Sequence, residues 1–275
     1  MSVGFGTVVL TGATSGIGEA TALRLATMAR TLVILGVESE LGAAPVITRI
    51  RDAGTAEVHY VSADFTHLAE VVDAAAQVRR LVGSIDLLIN DAGVPGASAR
   101  LLTEDGFERT LQVNALAPAL LTRLLVPTLA EGARIVNVGS SAHRIEHFEF
   151  SDVDLDRHYS PIAAYARAKL AMVTWSSLLA EEEAATSTTV VALCPGLNDT
   201  PLSAAMTGGT GGSPSRGAAR VLFAATTDVP SGSYLEDDRV VTPSADVLDV
   251  GNREQLARLY WERLAPFAAS TGTGR

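Results

Sequence analysis

Short apolar runs alternate with longer helical patterns along most of the chain, and the runs are rich in valine, isoleucine and leucine. A continuous apolar run of four to eight residues is typical of a buried strand, whereas apolar positions three and four apart indicate an amphipathic helix. The predicted strands cover residues 7–11, 31–36, 57–62, 85–90, 133–138 and 188–193, with one more near 234. Helices are predicted after the first strand up to 29, then over 41–53, 68–82, 103–129, 161–183 and 253–264. This alternation predicts an α/β domain built on a parallel sheet with helices on both faces.

The length and the 47% hydrophobic content predict a single domain over residues 1–275. One segment within it, at about 202–218, is unusually rich in glycine, since residues 207–217 contain five glycines and a proline. Its place after the sixth strand predicts a flexible lid over a bound substrate, and a disordered loop is the alternative. The tail at 270–275 is expected to be frayed.

The charge and the cysteine content limit the class of partner and the compartment. The net charge is −10 and no basic stripe gathers the arginines, so neither nucleic acid nor an anionic membrane is an expected partner. Cys194 is the single cysteine, which excludes an internal disulfide and suits a reducing compartment. Residues 1–5 lack a signal-peptide pattern, and the most apolar run is interrupted by prolines and an arginine. We therefore expect a cytoplasmic protein.

The strongest chemical signal is the pair Tyr165 and Lys169. Residues four apart lie on one face of a helix, one turn above the other. The 21 basic residues comprise 20 arginines and Lys169, so the chain has kept a compact ammonium at this position alone. A free tyrosine has a pKa near 10, and lowering it by about 3 requires about 4 kcal/mol. A positive charge about 4 to 5 Å away supplies energy of that order. We expect Lys169 to lower the Tyr165 pKa; the alternative is a solvated lysine with no role.

A glycine-rich turn, Thr11 to Gly18, follows the first strand and opens a helix. In this context Gly12 permits a tight turn, Gly16 lets the backbone approach a diphosphate, and Gly18 allows the helix to pack closely. Glu38 follows the second strand, 20 residues after Gly18, where a carboxylate would bond the adenosine ribose. Because it would repel a 2′-phosphate, Glu38 predicts NAD rather than NADP as the cofactor. A solvated residue that starts the next helix is the alternative reading of Glu38.

Together these motifs resemble the short-chain dehydrogenase/reductase family over nearly the whole chain. The glycine turn is similar to its TGxxxGIG, Asn90 to Gly93 to its NNAG, and Pro195 to Thr200 to its PGxxxT. The resemblance implies a Rossmann-type doubly wound parallel sheet of about seven strands and a nicotinamide cofactor. The implied cofactor-binding residues are Gly12, Thr14, Ser15, Gly16, Ile17, Gly18, Glu38, Asp64, Phe65, Asn90, Asp91, Ala92, Gly93, Tyr165, Lys169, Pro195, Gly196 and Thr200.

The same resemblance implies a catalytic set made of Asn114, Ser140, Tyr165 and Lys169. Tyr165 would exchange a proton with the substrate oxygen while hydride moves to or from the nicotinamide. Lys169 would lower the tyrosine pKa and bond the nicotinamide ribose, and Asn114 would fix a water that links the lysine to solvent. Ser140 would hydrogen-bond the substrate oxygen, with Ser141 as the runner-up.

Two departures from the family pattern stand out. Asp91 occupies a position where the family has asparagine, and a carboxylate accepts hydrogen bonds where an amide also donates. The 24 residues between Ser140 and Tyr165 are about twice the usual family spacing, and with Ala142 and His143 they resemble the retinol-dehydrogenase-like branch. That branch acts on lipophilic alcohols and carbonyls.

The expected function is hydride transfer between NAD(H) and a secondary alcohol or ketone of a mid-sized apolar substrate. The alternatives are a redox-neutral enzyme on the same scaffold, such as an epimerase or dehydratase, or an idle NAD-binding regulatory protein. Family analogy implies a homodimer or homotetramer built on the long helices. His143 and His147 are four apart but lie in a predicted loop without a third ligand, so they are expected to line a pocket and no metal site is predicted.

Overall fold

The computed structural model describes residues 4–209 and 211–269. Its strands, β1 to β8 in chain order, are Phe5–Thr11, Ala29–Gly36, Glu57–Ser62, Ile85–Asn90, Leu129–Val138, Thr189–Cys194, Tyr234–Glu236 and Arg239–Val240. They form one sheet in the order β3-β2-β1-β4-β5-β6-β7-β8. Neighbours pair in parallel except β7 and β8, which are antiparallel. The predicted doubly wound α/β class is confirmed, and the strand number is eight where about seven were predicted.

Ten helices in the described residues connect and cover the strands. In chain order α1 to α10 they are Gly16–Leu25, Glu40–Ala53, Leu68–Leu81, Arg109–Leu111, Ala117–Leu125, Pro161–Glu182, Pro201–Thr207, Pro214–Thr226, Ala245–Leu248 and Val250–Ala269. A π-helical turn, Gln112–Leu116, joins α4 to α5.

Both faces of the sheet are buried, because alternate side chains of each strand point to opposite sides. On one face, Val8 and Leu10 of β1 belong to a core that includes residues of α1, α2 and α8. On the other, Val9 of β1 belongs to a core that includes residues of α3, α5, α6 and α10. The central strands therefore read as continuous apolar runs, and the carboxyl ends of the parallel strands lie along one edge, where ligands of such sheets bind.

The segment predicted as a flexible lid, 202–218, is mostly helical. Helix α7 begins after Thr200, whose side chain accepts a hydrogen bond from the Ser203 N–H while the Ser203 hydroxyl bonds the Thr200 backbone. It ends at Gly208, which adopts the left-handed conformation with a φ of 78°. Only the connection between α7 and α8 is irregular, and Thr210 within it lies outside the described residues, as does the predicted frayed tail.

Helix α10 packs on α5 and α6, the long helices of the second face. The ring of Tyr260 stacks on that of Trp175, with centroids 6.2 Å apart. Arg253 donates to the Ser177 hydroxyl and pairs with Glu181 at 2.6 Å. The C-terminal helix thus covers part of the face that family analogy assigned to a partner subunit. Across the described residues, no helix combines the length and the apolar character that crossing a bilayer requires.

Candidate active site

A cavity of about 920 Å³ lies along the carboxyl ends of the strands. This size is within the range of small-molecule sites. It runs from the glycine turn to Tyr165 and Lys169 on α6. The predicted cofactor residues that line it are Gly12, Thr14, Ser15, Gly16, Ile17, Glu38, Asp64, Phe65, Asp91, Ala92, Gly93, Tyr165, Lys169, Pro195, Gly196 and Thr200. Ser140 lines it as well, whereas Gly18, Asn90 and Asn114 do not.

The glycine turn fits a diphosphate. Ser15 at the start of α1 makes no capping bond through its side chain, so the N–H groups of the first turn lack a side-chain acceptor there. Gly16 lines the cavity with a φ of 58°, which favours glycine. A Cβ on Gly18 would lie 2.0 Å from the Gly12 carbonyl oxygen, so only glycine permits this contact between α1 and the turn. A helix N-terminus open in this way is a ready site for phosphate.

Asn90 does not line the cavity, and its contact with a cofactor stays a prediction. Its side-chain amide donates to the Thr122 hydroxyl at 2.9 Å and to the Asn137 side-chain oxygen at 2.8 Å. Asn137 in turn donates to the Ser176 hydroxyl at 3.0 Å. The four side chains form a buried polar network that ties β4 and β5 to α5 and α6. Asn90 therefore supports the sheet beneath the site.

The residues predicted to hold the adenosine also line the cavity. Glu38 is exposed at its wall, and its backbone oxygen accepts a hydrogen bond from the Tyr60 hydroxyl at 2.6 Å. Asp64 Oδ1 accepts from the N–H and the hydroxyl of Thr66, both at 2.8 Å. Arg109 also lines the cavity. A single arginine in a helical segment carries no motif, so the sequence does not predict that Arg109 reaches the cavity.

Tyr165 and Lys169 share one face of α6 and both reach the cavity, as their spacing predicts. The helix begins at Ser160, whose hydroxyl accepts from the Ala163 N–H, and continues with Pro161 at its first position. Lys169 Nζ lies 5.7 Å from the centre of the Tyr165 ring. It donates to the Val138 carbonyl oxygen at 2.8 Å, and the lysine is only 4% exposed. This bond holds the ammonium at the end of β5.

Burial controls the pKa values of this pair. Burial raises the pKa of Tyr165 to about 12. A side-chain hydrogen bond with Ser140 acts in the opposite direction and lowers it. Burial lowers the pKa of Lys169 to about 8, while Asp91 acts in the opposite direction. The net pKa of Tyr165 is therefore raised, opposite to the predicted lowering, because desolvation is the largest influence on it.

The two candidate serines differ in their contacts. Ser140 bonds the Tyr165 phenol through its side chain and accepts from the Ala142 N–H at 3.1 Å. Ser141 is exposed, and its backbone N–H points to the Cys194 sulfur at 3.2 Å. Within the site, the hydroxyl that contacts the tyrosine therefore belongs to Ser140.

His143 lies behind Ser140 and does not line the cavity, contrary to the expectation for the loop histidines. Its Nδ1 lies 2.6 Å from the Ser140 carbonyl oxygen, and its Nε2 accepts from the Ser244 N–H at 3.1 Å. The ring is fully buried, which lowers the pKa of His143 and keeps it neutral. His147 is likewise outside the cavity wall and bonds Asp246 at 2.8 Å. No three His, Cys, Asp or Glu side chains of the described residues group closely enough to hold a metal ion.

Asn114 is buried in the π-helical turn behind the cavity wall. Its side-chain oxygen accepts from the Val94 N–H at 2.7 Å, and its amide donates to the Val94 carbonyl oxygen at 2.9 Å. A Cβ on Gly93 would lie 3.3 Å from the Asn114 oxygen and 3.8 Å from Lys169 Nζ. Asn114 thus holds the backbone at residues 93–94, which lies between Asn114 and Lys169.

The cavity wall around Tyr165 is mainly apolar. Three apolar side chains that line it are also open to solvent: Ile145 is 60% exposed, Ile162 55% and Leu197 54%. Leu202 and Met206 of α7 complete this wall. This part of the cavity wall is therefore apolar and open to solvent.

Comparison with known proteins agrees with this geometry. The family model described as short chain dehydrogenase matches residues 6–209. A polyprenol dehydrogenase of Mus musculus is 38% identical over 61% of this chain and 52% of its own length. Retinol dehydrogenase 13 of Homo sapiens is 37% identical over 71% of this chain and 60% of its own length. A Streptomyces protein described as a daunorubicin C-13 ketoreductase is 33% identical over 96% of this chain and 93% of its own length. The chain thus spans little more than half the length of the two mammalian relatives.

Solved structures show the same fold. An uncharacterized protein from Mycobacterium paratuberculosis has a TM-score of 0.81 and 30% identity, over 96% of this chain and 95% of its own. A short chain dehydrogenase from Burkholderia cenocepacia J2315, in complex with NADP, has a TM-score of 0.69 and 27% identity, over 86% of this chain and 97% of its own. The polyprenol dehydrogenase and retinol dehydrogenase 13 support a place for this chain near the retinol-dehydrogenase-like branch. The chain belongs to the short-chain dehydrogenase family.

Proposed function

We propose that this protein is an NAD-dependent oxidoreductase that interconverts a ketone and a secondary alcohol on a mid-sized, apolar substrate. The observation that carries the proposal is the convergence of Tyr165, Ser140 and Lys169 at the apolar end of a cavity whose other end is the glycine turn. Such a site brings a proton donor and a substrate pocket to one end of a dinucleotide-sized cleft.

The reduction of a ketone requires a proton on its oxygen and a hydride on its carbon. When bound, the reduced nicotinamide supplies the hydride. The Tyr165 phenol, with its pKa raised to about 12, holds its proton at neutral pH and can donate it to the substrate oxygen. The Ser140 hydroxyl, bonded to that phenol, is placed to hydrogen-bond the same oxygen. Lys169, held by Val138, supplies positive charge that offsets the phenolate left behind.

A panel of ketones with NADH tests this function through the nicotinamide absorbance. We expect turnover to rise as small ketones are replaced by larger apolar ones, because the wall around Tyr165 is apolar. Stoichiometric NADH binding without an absorbance change on any ketone or alcohol would contradict the oxidoreductase proposal.

The preference for NAD over NADP is part of the proposal and rests on Glu38. A 2′-phosphate about 4 Å from this carboxylate would cost on the order of several kcal/mol without screening by solvent. The Burkholderia relative binds NADP, so the choice depends on residues of this chain. We expect kcat/KM to be at least tenfold higher with NADH than with NADPH, and Glu38→Ser to narrow the gap. Equal values, or a preference for NADPH in the unmodified protein, would refute the role of Glu38.

The assembly and the location are separate proposals. Because α10 occupies part of the face formed by α5 and α6, we propose that a homodimer or homotetramer, if formed, uses a different surface from the one family analogy implied. Light scattering gives the mass of the assembly, and cross-linking between α6 helices of two subunits would contradict this proposal. The cytoplasmic location remains a prediction from composition.

A further inference from the structure

Asp91 places a carboxyl group against the glycine turn. Its Oδ2 lies 2.7 Å from the point that a Cβ on Gly18 would occupy, and the Gly12 carbonyl oxygen lies 2.0 Å from the same point. The Asp91 carboxyl and the Gly12 carbonyl therefore flank one position in the first turn of α1. Asp91 also lines the cavity together with Ser15 and Gly16, the residues that form the phosphate site.

The protein provides this carboxyl with little compensation for a negative charge. In residues 4–209 and 211–269 its oxygens accept no hydrogen bond, because only its backbone N–H is bonded, to the Thr11 hydroxyl at 3.1 Å. From α6 it faces Lys169, which lies beyond ion-pair distance and is bonded to a carbonyl, and Tyr165. From β6, Cys194 lines the same cavity, and on α1 Glu19 is paired with Arg49. Burial raises the pKa of Asp91 to about 7, with Lys169 acting against it.

The two forms of the carboxyl have opposite effects on the turn. The neutral form has an O–H that can donate to a carbonyl oxygen, as the amide of an asparagine can. The ionised form only accepts hydrogen bonds, and it adds negative charge beside the site of an anionic diphosphate.

We propose that Asp91 makes dinucleotide binding proton-linked, so that the protein binds its cofactor with the Asp91 carboxyl neutral and takes up a proton on binding above neutral pH. This inference rests on the cofactor site in the proposed function and concerns a residue at which this chain departs from the family pattern. Cofactor affinity then falls as pH rises, and replacing Asp91 by asparagine removes the dependence.

Isothermal titration calorimetry with NAD, which carries no group that titrates near neutral pH, tests the proposal directly. We expect the affinity of the unmodified protein to fall by close to tenfold between pH 6.5 and pH 8. Repeating the titration at pH 7.5 in buffers of different ionisation enthalpy counts protons, and we expect an uptake on the order of half to one proton per NAD. Asp91→Asn should bind NAD with a flat pH profile over this range and without proton uptake.

Asp73→Asn is the matched control, because it removes an exposed carboxylate of α3 outside the cavity and should leave the proton uptake in place. Asp91→Ser provides a second non-ionisable variant should the asparagine protein fold poorly. A flat profile and no proton uptake in the unmodified protein, or an unchanged uptake in Asp91→Asn, would overturn the proposal. Absence of NAD binding at every pH would instead refute the cofactor site itself, so the two failures are distinguishable.

Discussion

Replacing Asn90 by alanine should destabilise the fold without weakening cofactor binding. Asn90 is 1% exposed, and its amide serves Thr122 and Asn137 at 2.9 and 2.8 Å. The substitution removes this donor and leaves two buried acceptors, each of which costs about 1 to 3 kcal/mol when unpaired. A loss of about 3 kcal/mol corresponds to a drop in Tm on the order of 10 °C for a chain of this size.

Thermal unfolding measures the stability of the Asn90→Ala protein. Calorimetric titration with NAD, well below the Tm, measures its affinity for the cofactor. Thr122→Val is the control, because it removes one acceptor while the Asn137 side-chain oxygen still accepts a hydrogen bond from the Asn90 amide. We expect a loss of about 1 kcal/mol for this variant. The network reading would be refuted by an Asn90→Ala protein with unchanged Tm and NAD binding weakened tenfold or more.

Three further predictions follow from individual contacts. His143→Ala should lower kcat about tenfold with little change in the KM for NADH, because the ring positions the Ser140 turn. His143→Asn should restore part of the lost activity, because its amide can replace one hydrogen bond of the ring. Steady-state kinetics on both variants checks these expectations. Burial raises the pKa of Asp91 from 3.8 to about 7, so its contribution to stability is complete below about pH 4 and is lost as pH rises through 7. Between pH 4 and pH 8, the free energy of unfolding of the unmodified protein, measured with urea, should fall by up to about 4 kcal/mol relative to that of Asp91→Asn. Parallel plots of unfolding free energy against pH for the two proteins would contradict this expectation. Tyr260→Ala should cost about 3 to 5 kcal/mol by thermal unfolding, since its ring is buried against Trp175; a change below 1 kcal/mol would contradict that packing.

The central strands follow directly from sequence, while the last one does not. The run at residues 85–90 is a strand over the predicted residues, because a strand buried on both faces is a continuous apolar run. Strand β8 consists of the exposed pair Arg239–Val240 after a turn in which Asp237 and Asp238 have positive φ values. Two exposed residues form no hydrophobic pattern, so pairing with β7 alone defines this strand.

Helix α7 shows a signal that the sequence analysis did not use. The glycines after Thr207 suggested a flexible segment, but Thr200, Pro201 and Ser203 form a helix start with a reciprocal cap. The π-helical turn that holds Asn114 is different, since its widened hydrogen-bond pattern leaves no periodicity to read.

The site shows a similar division. The spacing of Tyr165 and Lys169 correctly placed both side chains at the cavity, because helical geometry depends only on sequence separation. Their pKa values depend on desolvation by residues distant in sequence, so a Coulomb argument between the two gave the wrong sign. The position of Asn90 likewise depends on which face of β4 meets Thr122 and Asn137.

The most direct test of the account is the rate of hydride transfer in Tyr165→Phe, because this change removes the phenol oxygen alone. Single-turnover reduction of a ketone by bound NADH, followed by nicotinamide absorbance, should slow by about 10² to 10⁴-fold. The Kd for NAD, measured on the same protein, should stay within about threefold of the unmodified value, since the ring and Lys169 remain. A variant that binds NAD and transfers hydride at the unmodified rate would contradict the claim that Tyr165 donates the proton.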